Sequence, residues 1–197
     1  LSKFPSLQTR LSYHPTENVF FRLKVKIKSE IVTLGKGNIN PNEKVGTYVT
    51  SCSEWDRLLE DPDCWVIDTR NEYEYRVGSF AGAENPHTEN FVDFPTWFEK
   101  AWEKKQKTCS KIAMFCTGGI RCEKATSYCM DLIDNSDETP EVLHLKGGIL
   151  SYLDQTPPEK SMFHGECYVF DRRVAVSHGL KPSTTFQQCH ACRSPLT

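Results

Sequence analysis

The residues of this chain best suited to chemistry are Cys116-Thr117-Gly118-Gly119-Ile120-Arg121. A thiol is nucleophilic as its thiolate, and nearby positive charge and inward N–H donors favour that form. Gly118 and Gly119 let the backbone turn sharply and aim its N–H groups at the loop centre without side-chain obstruction. Arg121 adds a permanent cation whose planar fork suits an oxyanion. The pattern predicts an anion-holding loop, with Cys116 as nucleophile and Arg121 as its charge partner. The bland alternative is a buried cysteine at a strand end followed by a tight turn. That explains the cysteine alone but not two glycines and an arginine beside it.

Those residues need elements to position them. Lys111–Phe115 reads as a buried strand that delivers Cys116, and Arg121–Ile133 as the helix that follows. A helix N-terminus favours negative charge at the loop. In an open parallel sheet such loops lie beyond the carboxyl ends of the strands, where ligands bind. Around this pair the sequence predicts a strand at Gly46–Thr50, a helix capped by Ser51 or Ser53 through Leu59, and a strand Cys64–Ile67 ending at Asp68. It continues with a brief helix at Glu72–Val77, a helix over Phe91–Lys105, a strand Val142–Leu145, and a helix from Gly147-Gly148 to Leu153. Strands alternating with helices over short loops argue for an α/β domain with a parallel sheet covered on both faces.

Loop length narrows the chemistry. Cys116 and Arg121 enclose four residues. The loop of cysteine phosphatases is one residue longer and surrounds a tetrahedral phosphate; the shorter ring fits a sulfur-borne anion such as a persulfide. The neighbouring segments agree. Val66-Ile-Asp-Thr-Arg-Asn-Glu-Tyr-Glu-Tyr, with an aspartate, an arginine two residues on and then a Glu-aromatic pair, Gly78-Ser-Phe-Ala-Gly-Ala-Glu-Asn and Leu145-Lys-Gly-Gly-Ile, together with the loop, resemble the rhodanese domain family, with Ser79 where that family has histidine. The resemblance implies a rhodanese-like domain over 44–155 with a five-stranded parallel sheet, and Asp68 and Arg70 as structural braces.

The likeness continues into both flanks. Leu23-Lys-Val-Lys-Ile-Lys-Ser-Glu-Ile, Val45-Gly-Thr-Tyr-Val, Phe115-Cys-Thr-Gly-Gly-Ile-Arg-Cys-Glu-Lys and Phe163-His-Gly-Glu-Cys-Tyr-Val-Phe-Asp-Arg-Arg-Val resemble the bacterial-type tRNA uridine hydroxylases. This implies tRNA as partner, molecular oxygen as co-substrate, and hydroxylation of the wobble uridine to 5-hydroxyuridine with the loop cysteine essential. The sequence carries no flavin or dinucleotide fingerprint and no two-histidine-one-carboxylate set, so no cofactor is identifiable. The rival reading from the loop alone is a sulfurtransferase that takes sulfur from thiosulfate or a persulfide donor onto Cys116.

Outside the central domain the sequence reads as a partial N-terminal α+β region over 1–43 and an extended C-terminal tail over 156–197. Between Phe21 and Ile31, Leu23, Val25 and Ile27 alternate with Arg22, Lys24, Lys26 and Lys28, which predicts a strand with one buried face and one basic face. The basic face is either an RNA contact or a solvated ridge. In the tail, Tyr168–Val176 is expected to hold a strand pair. Cys189-His-Ala-Cys192 has the spacing of half a zinc site, for which His190 and Cys167 are poor completions.

Cys122 follows the loop and is either a resolving thiol for Cys116 or a small apolar filler on the helix. Cys129, Trp97, Phe98 and Trp102 fit core positions, and Tyr73 and Tyr75 either core or the rim of the site. The chain has 197 residues, 38% hydrophobic and 25% charged, with formal charge −2. That balance gives no whole-chain attraction to DNA or anionic membrane, so any polyanion contact must be local. No apolar run approaches bilayer length, and Leu1–Arg10 lacks a leader pattern. Nine cysteines, an odd count, then read as reduced thiols in a cytoplasmic protein.

Overall fold

The computed structural model describes residues 25–133, 139–192 and 194–197. The central unit runs β1 (Thr47–Val49), α1 (Cys52–Glu60), β2 (Cys64–Asp68), α2 (Glu72–Tyr75), β3 (Gly78–Phe80), α3 (Phe94–Lys105), β4 (Lys111–Phe115), α4 (Ile120–Ile133), β5 (Glu141–Leu145) and α5 (Gly148–Gln155). Then come the short strands β6 (Phe163–Gly165), β7 (Cys167–Tyr168), β8 (Ala175–Val176), β9 (Gln187–Gln188) and β10 (Pro195–Leu196).

Strand β4 sets the architecture. Its residues Ile112, Ala113, Met114 and Phe115 are all fully buried. A strand apolar on both faces needs cover on both, which is the condition for a parallel sheet between helix layers. Neighbouring strands β2 and β5 pair with it in parallel, and β1 pairs with β5, giving the order β1-β5-β4-β2. Alternate residues feed two cores. Trp65, Ile67, Ile112, Met114 and Val142 pack with Phe94, Phe98, Trp102, Cys129 and Ile133 of α3 and α4. Val66, Ala113, Phe115, Leu143 and Leu145 pack with Trp55, Ile149, Tyr152 and Leu153 of α1 and α5. Each large apolar side chain buried here contributes about 1.5–3 kcal/mol. Phe98 and Trp102 therefore lie in the core, with Trp97 packed against it.

Several expectations need correction. Among the described residues the sheet has four strands, not five. Beyond β2 lies a parallel bridge between Ile67 and Glu84, and β3 pairs antiparallel with β6 of the C-terminal extension. The stretch Phe91–Lys105 is not one α-helix: Asn90 and Asp93 cap each other around a 3-10 turn at Phe91–Asp93, and α3 begins at Phe94. The basic strand does not form over 25–31. Val25, Ile27 and Ile31 are 85%, 103% and 83% exposed, since no described strand pairs with this segment to bury its apolar face. Lys26 and Lys28 are exposed there, while Arg22 and Lys24 lie outside the described residues.

Both flanks touch the central unit. Leu34 and Ile39 are buried in the α3–α4 core. Lys124 on α4 pairs with Glu30 at 2.7 Å, and Glu30 also accepts from the Gly35 N–H. Cys167, Val169 and Val176 join the other core, and β7 pairs with β8 at the expected position. Among the described residues no helix is long and apolar enough to cross a membrane.

Candidate active site

Strand β4 ends at Phe115 and hands Cys116 directly to the turn that starts α4. Cys116 is 2% exposed, so its thiol lies on the floor of the loop. The Gly119 N–H donates to Cys116 Sγ at 3.1 Å, from a backbone with φ +84° that glycine adopts without strain. Burial by itself would raise the Cys116 pKa. The Cys122 thiol, the Arg121 charge and the N–H groups of Cys122 and Arg121 overcome it and bring the value down to about 6. A value lowered this far favours the thiolate form of the sulfur.

A second turn backs this loop. Ile149 N–H donates to the Cys116 carbonyl and Leu150 N–H to the Thr117 carbonyl, both at 3.0 Å. With its carbonyls held from behind by the first turn of α5, the loop points N–H groups toward the sulfur. Gly148 permits the approach: a Cβ there would sit 2.3 Å from the Cys116 carbonyl oxygen, at a φ of +64°. The Gly147-Gly148 pair thus belongs to the site, although the sequence marks it only as a strand-to-helix turn.

Arg121 is placed differently from its expected use as an oxyanion fork. Its two terminal nitrogens each donate to Glu74 at 2.6 Å, and one also reaches Thr117 Oγ1 at 3.3 Å. Glu74 is fully buried on α2, accepts from Thr117 Oγ1 at 3.2 Å, and caps its own helix through the Asn71 N–H. Burial pushes the Glu74 pKa up, but the hydrogen bond and charge of Arg121 bring it below the usual carboxylate value, so the pair is ionic. Arg121 consequently supplies positive charge to Cys116 from a fixed position, and the backbone N–H groups do the direct holding. In the sequence Glu74 stands only inside a family motif, with no role of its own. The available cue was an acid on a short segment at the sheet edge, matched to an arginine in the loop.

Cys122 is fully buried, with its sulfur 3.6 Å from Thr69 Oγ1. Burial and its hydrogen bond to Cys116 keep its own pKa well above the ordinary thiol value. The residue is thus a protonated donor to the Cys116 thiolate, a role between the two readings the sequence left open. Thr117 is buried, Gly118 has open space above its Cα, and Ile120 begins α4. Asp68 and Arg70 are both fully buried and joined at 2.7 Å. Arg70 also donates to the Gly78 carbonyl, and Ser79 hydroxyl to Asp68. They brace the β2 and β3 ends beneath α2.

Cys189 and Cys192 lie in the turn between β9 and β10, Cys189 half-buried and Cys192 exposed. Ser194 and Cys189 lower the Cys192 pKa to about 7 through hydrogen bonds. Among the described residues no group of three or more His, Cys, Asp or Glu could hold a metal ion. Cys167 is fully buried in the core and cannot serve as a further ligand from that position.

A parallel sheet between helix layers, with a thiolate cradled where β4 turns into α4, defines a rhodanese-like domain. Residues 51–155 match the Rhodanese-like domain family, and the chain belongs to it. Over 179 residues it is 50% identical to a protein of Gluconobacter oxydans named tRNA uridine(34) hydroxylase, covering 90% of this chain and 55% of that one. A Prochlorococcus marinus protein of the same name is 50% identical over 192 residues, covering 96% of this chain and 59% of that one. The chain thus spans little more than half the length of these curated relatives. A solved Saccharomyces cerevisiae structure, described as a homolog of single-domain rhodanese, aligns at a TM-score of 0.46 and 12% identity over 60% of this chain and 85% of its own.

Proposed function

We propose that this chain is the cysteine-bearing part of a tRNA uridine hydroxylase, converting the wobble uridine to 5-hydroxyuridine with molecular oxygen as co-substrate. One observation carries the reading. Identity of 50% to relatives named for that activity runs over 90% and 96% of the chain, well past the rhodanese segment at 51–155. In this reading the Cys116 thiolate adds to C6 of the uracil ring, and its electron pair makes C5 the nucleophilic carbon. C5 takes one atom of O2 while an external two-electron donor reduces the other to water, and loss of the C5 proton then expels the thiolate. Loop N–H groups and the Arg121 charge stabilise the anionic sulfur before attack and after release. The protonated Cys122 thiol is placed to steady the same sulfur.

The test is nucleoside analysis of tRNA from cells with the full-length protein, without it, and with Cys116→Ser. Loss of 5-hydroxyuridine in the last two supports the reading, and retained product with Cys116→Ser would sink it. A second reading, sulfur transfer through a Cys116 persulfide, is favoured by the short N–H-lined loop. A sulfur adduct on Cys116 by mass spectrometry, together with thiosulfate-to-cyanide turnover and unchanged tRNA, would select it.

A further inference from the structure

Helix α2 reaches two places at once. Glu74 clamps Arg121 of the cysteine loop, while its neighbour Tyr73 packs edge-on against Tyr168 of β7 with ring centroids 5.2 Å apart. Tyr168 in turn meets Phe170 edge-on at 5.2 Å. Tyr168 is buried, Tyr73 is half-buried, and Phe170 is 62% exposed. Three rings therefore lead from the active-site helix out to solvent, with the middle one fixed in place.

The turn that carries Phe170 is built for rigidity. Asp171 and Arg173 form a bidentate pair closing at 2.6 Å, with their side chains only 5% and 9% exposed. The Arg173 N–H also donates to Asp171 Oδ1. Val174 sits at φ +63°, a conformation costly for a β-branched residue, and its N–H donates to the Asp171 carbonyl. Strain of this kind persists where the surroundings over-determine it, and here it holds a large apolar ring in water. With tRNA as substrate, a fixed and exposed aromatic ring joined to the active-site helix suits an unstacked nucleobase, which stacks on aromatic side chains.

We infer that Phe170, backed by Tyr168 and Tyr73, is a stacking ledge for an anticodon-loop base next to the reacting uridine. The inference rests on the tRNA reading above and assigns Phe170 a positioning role. The measurements are made on the full-length protein: affinity for an unmodified tRNA anticodon stem-loop, KM and kcat for 5-hydroxyuridine formation, and the rate of Cys116 alkylation by iodoacetamide. Phe170→Ala should weaken stem-loop affinity and raise KM by about tenfold, the scale of a lost base–aromatic stack. Phe170→Trp should restore both, and neither variant should change Cys116 alkylation.

Equal affinity and KM in wild type and Phe170→Ala would overturn the inference and leave the ledge a protein-contact surface. So would a loss that Phe170→Trp fails to restore, or one accompanied by altered Cys116 alkylation, since either marks a structural role. If the wild type neither binds the stem-loop nor hydroxylates tRNA, the functional reading itself fails.

Discussion

The chain carries two closely spaced cysteine pairs whose chemistry diverges with their surroundings. Cys116 and Cys122 are buried, the first ionised by Cys122, Arg121 and loop N–H groups, the second kept protonated by burial and by its neighbour. Cys189, half-buried, and Cys192, exposed, sit on a hairpin, where Ser194 and Cys189 lower the Cys192 pKa to about 7. Both pairs contain a thiol that ionises easily. At the hairpin, Cys192 is exposed and water can reorganise around the charge. At the loop, two strand-to-helix turns and a buried ion pair fix every group around the sulfur. Preorganisation, more than acidity, separates the cradled thiolate from a merely acidic one.

The comparison breaks first at Glu74. Glu74→Gln leaves the Arg121 guanidinium, whose side chain is 11% exposed, without its carboxylate. Losing one partner of a buried pair costs about 3–5 kcal/mol. Denaturant unfolding should show that loss, and Cys116 alkylation at neutral pH should slow with it, while Cys192 alkylation stays the same.

A smaller effect is expected from the second turn. Gly148→Ala places a Cβ against the Cys116 carbonyl at a strained φ, for about 1–3 kcal/mol of destabilisation plus displacement of the loop. Thermal unfolding measures the first and alkylation the second; unchanged values for both would mean the α5 turn does not shape the loop.

The smallest differences sharpen the contrast between the pairs. Cys122→Ala removes the thiol donor and should move the Cys116 pH–rate midpoint upward without abolishing its reaction. Cys192→Ser should leave that midpoint unmoved. A shift from Cys192→Ser would show the two pairs to be coupled.

What the sequence revealed follows the range of the interactions involved. Strands β2, β4 and β5 were legible because burial on both faces leaves continuous apolar runs such as Ile112–Phe115. Cys116 and Gly119 were legible because their hydrogen bond falls within one turn. Glu74 was not, since its meaning depends on a partner 47 residues away. The 25–31 segment misled for a related reason. Alternation says which residues share a face, but not whether anything covers it, and there Val25 and Ile27 meet solvent. Phe170 was quoted only inside a family motif, because nothing in a one-dimensional pattern shows that Val174 is strained or that Tyr168 joins it to α2.

The most direct test of the cradle is the pH dependence of Cys116 alkylation by iodoacetamide, followed residue by residue with mass spectrometry. A depressed folded-state pKa means that the rate rises with pH and levels off above the midpoint. A midpoint at about 6 is predicted. A midpoint near the ordinary thiol value of 9.0 would show that the two turns and Arg121 do not hold a thiolate, and would contradict the account.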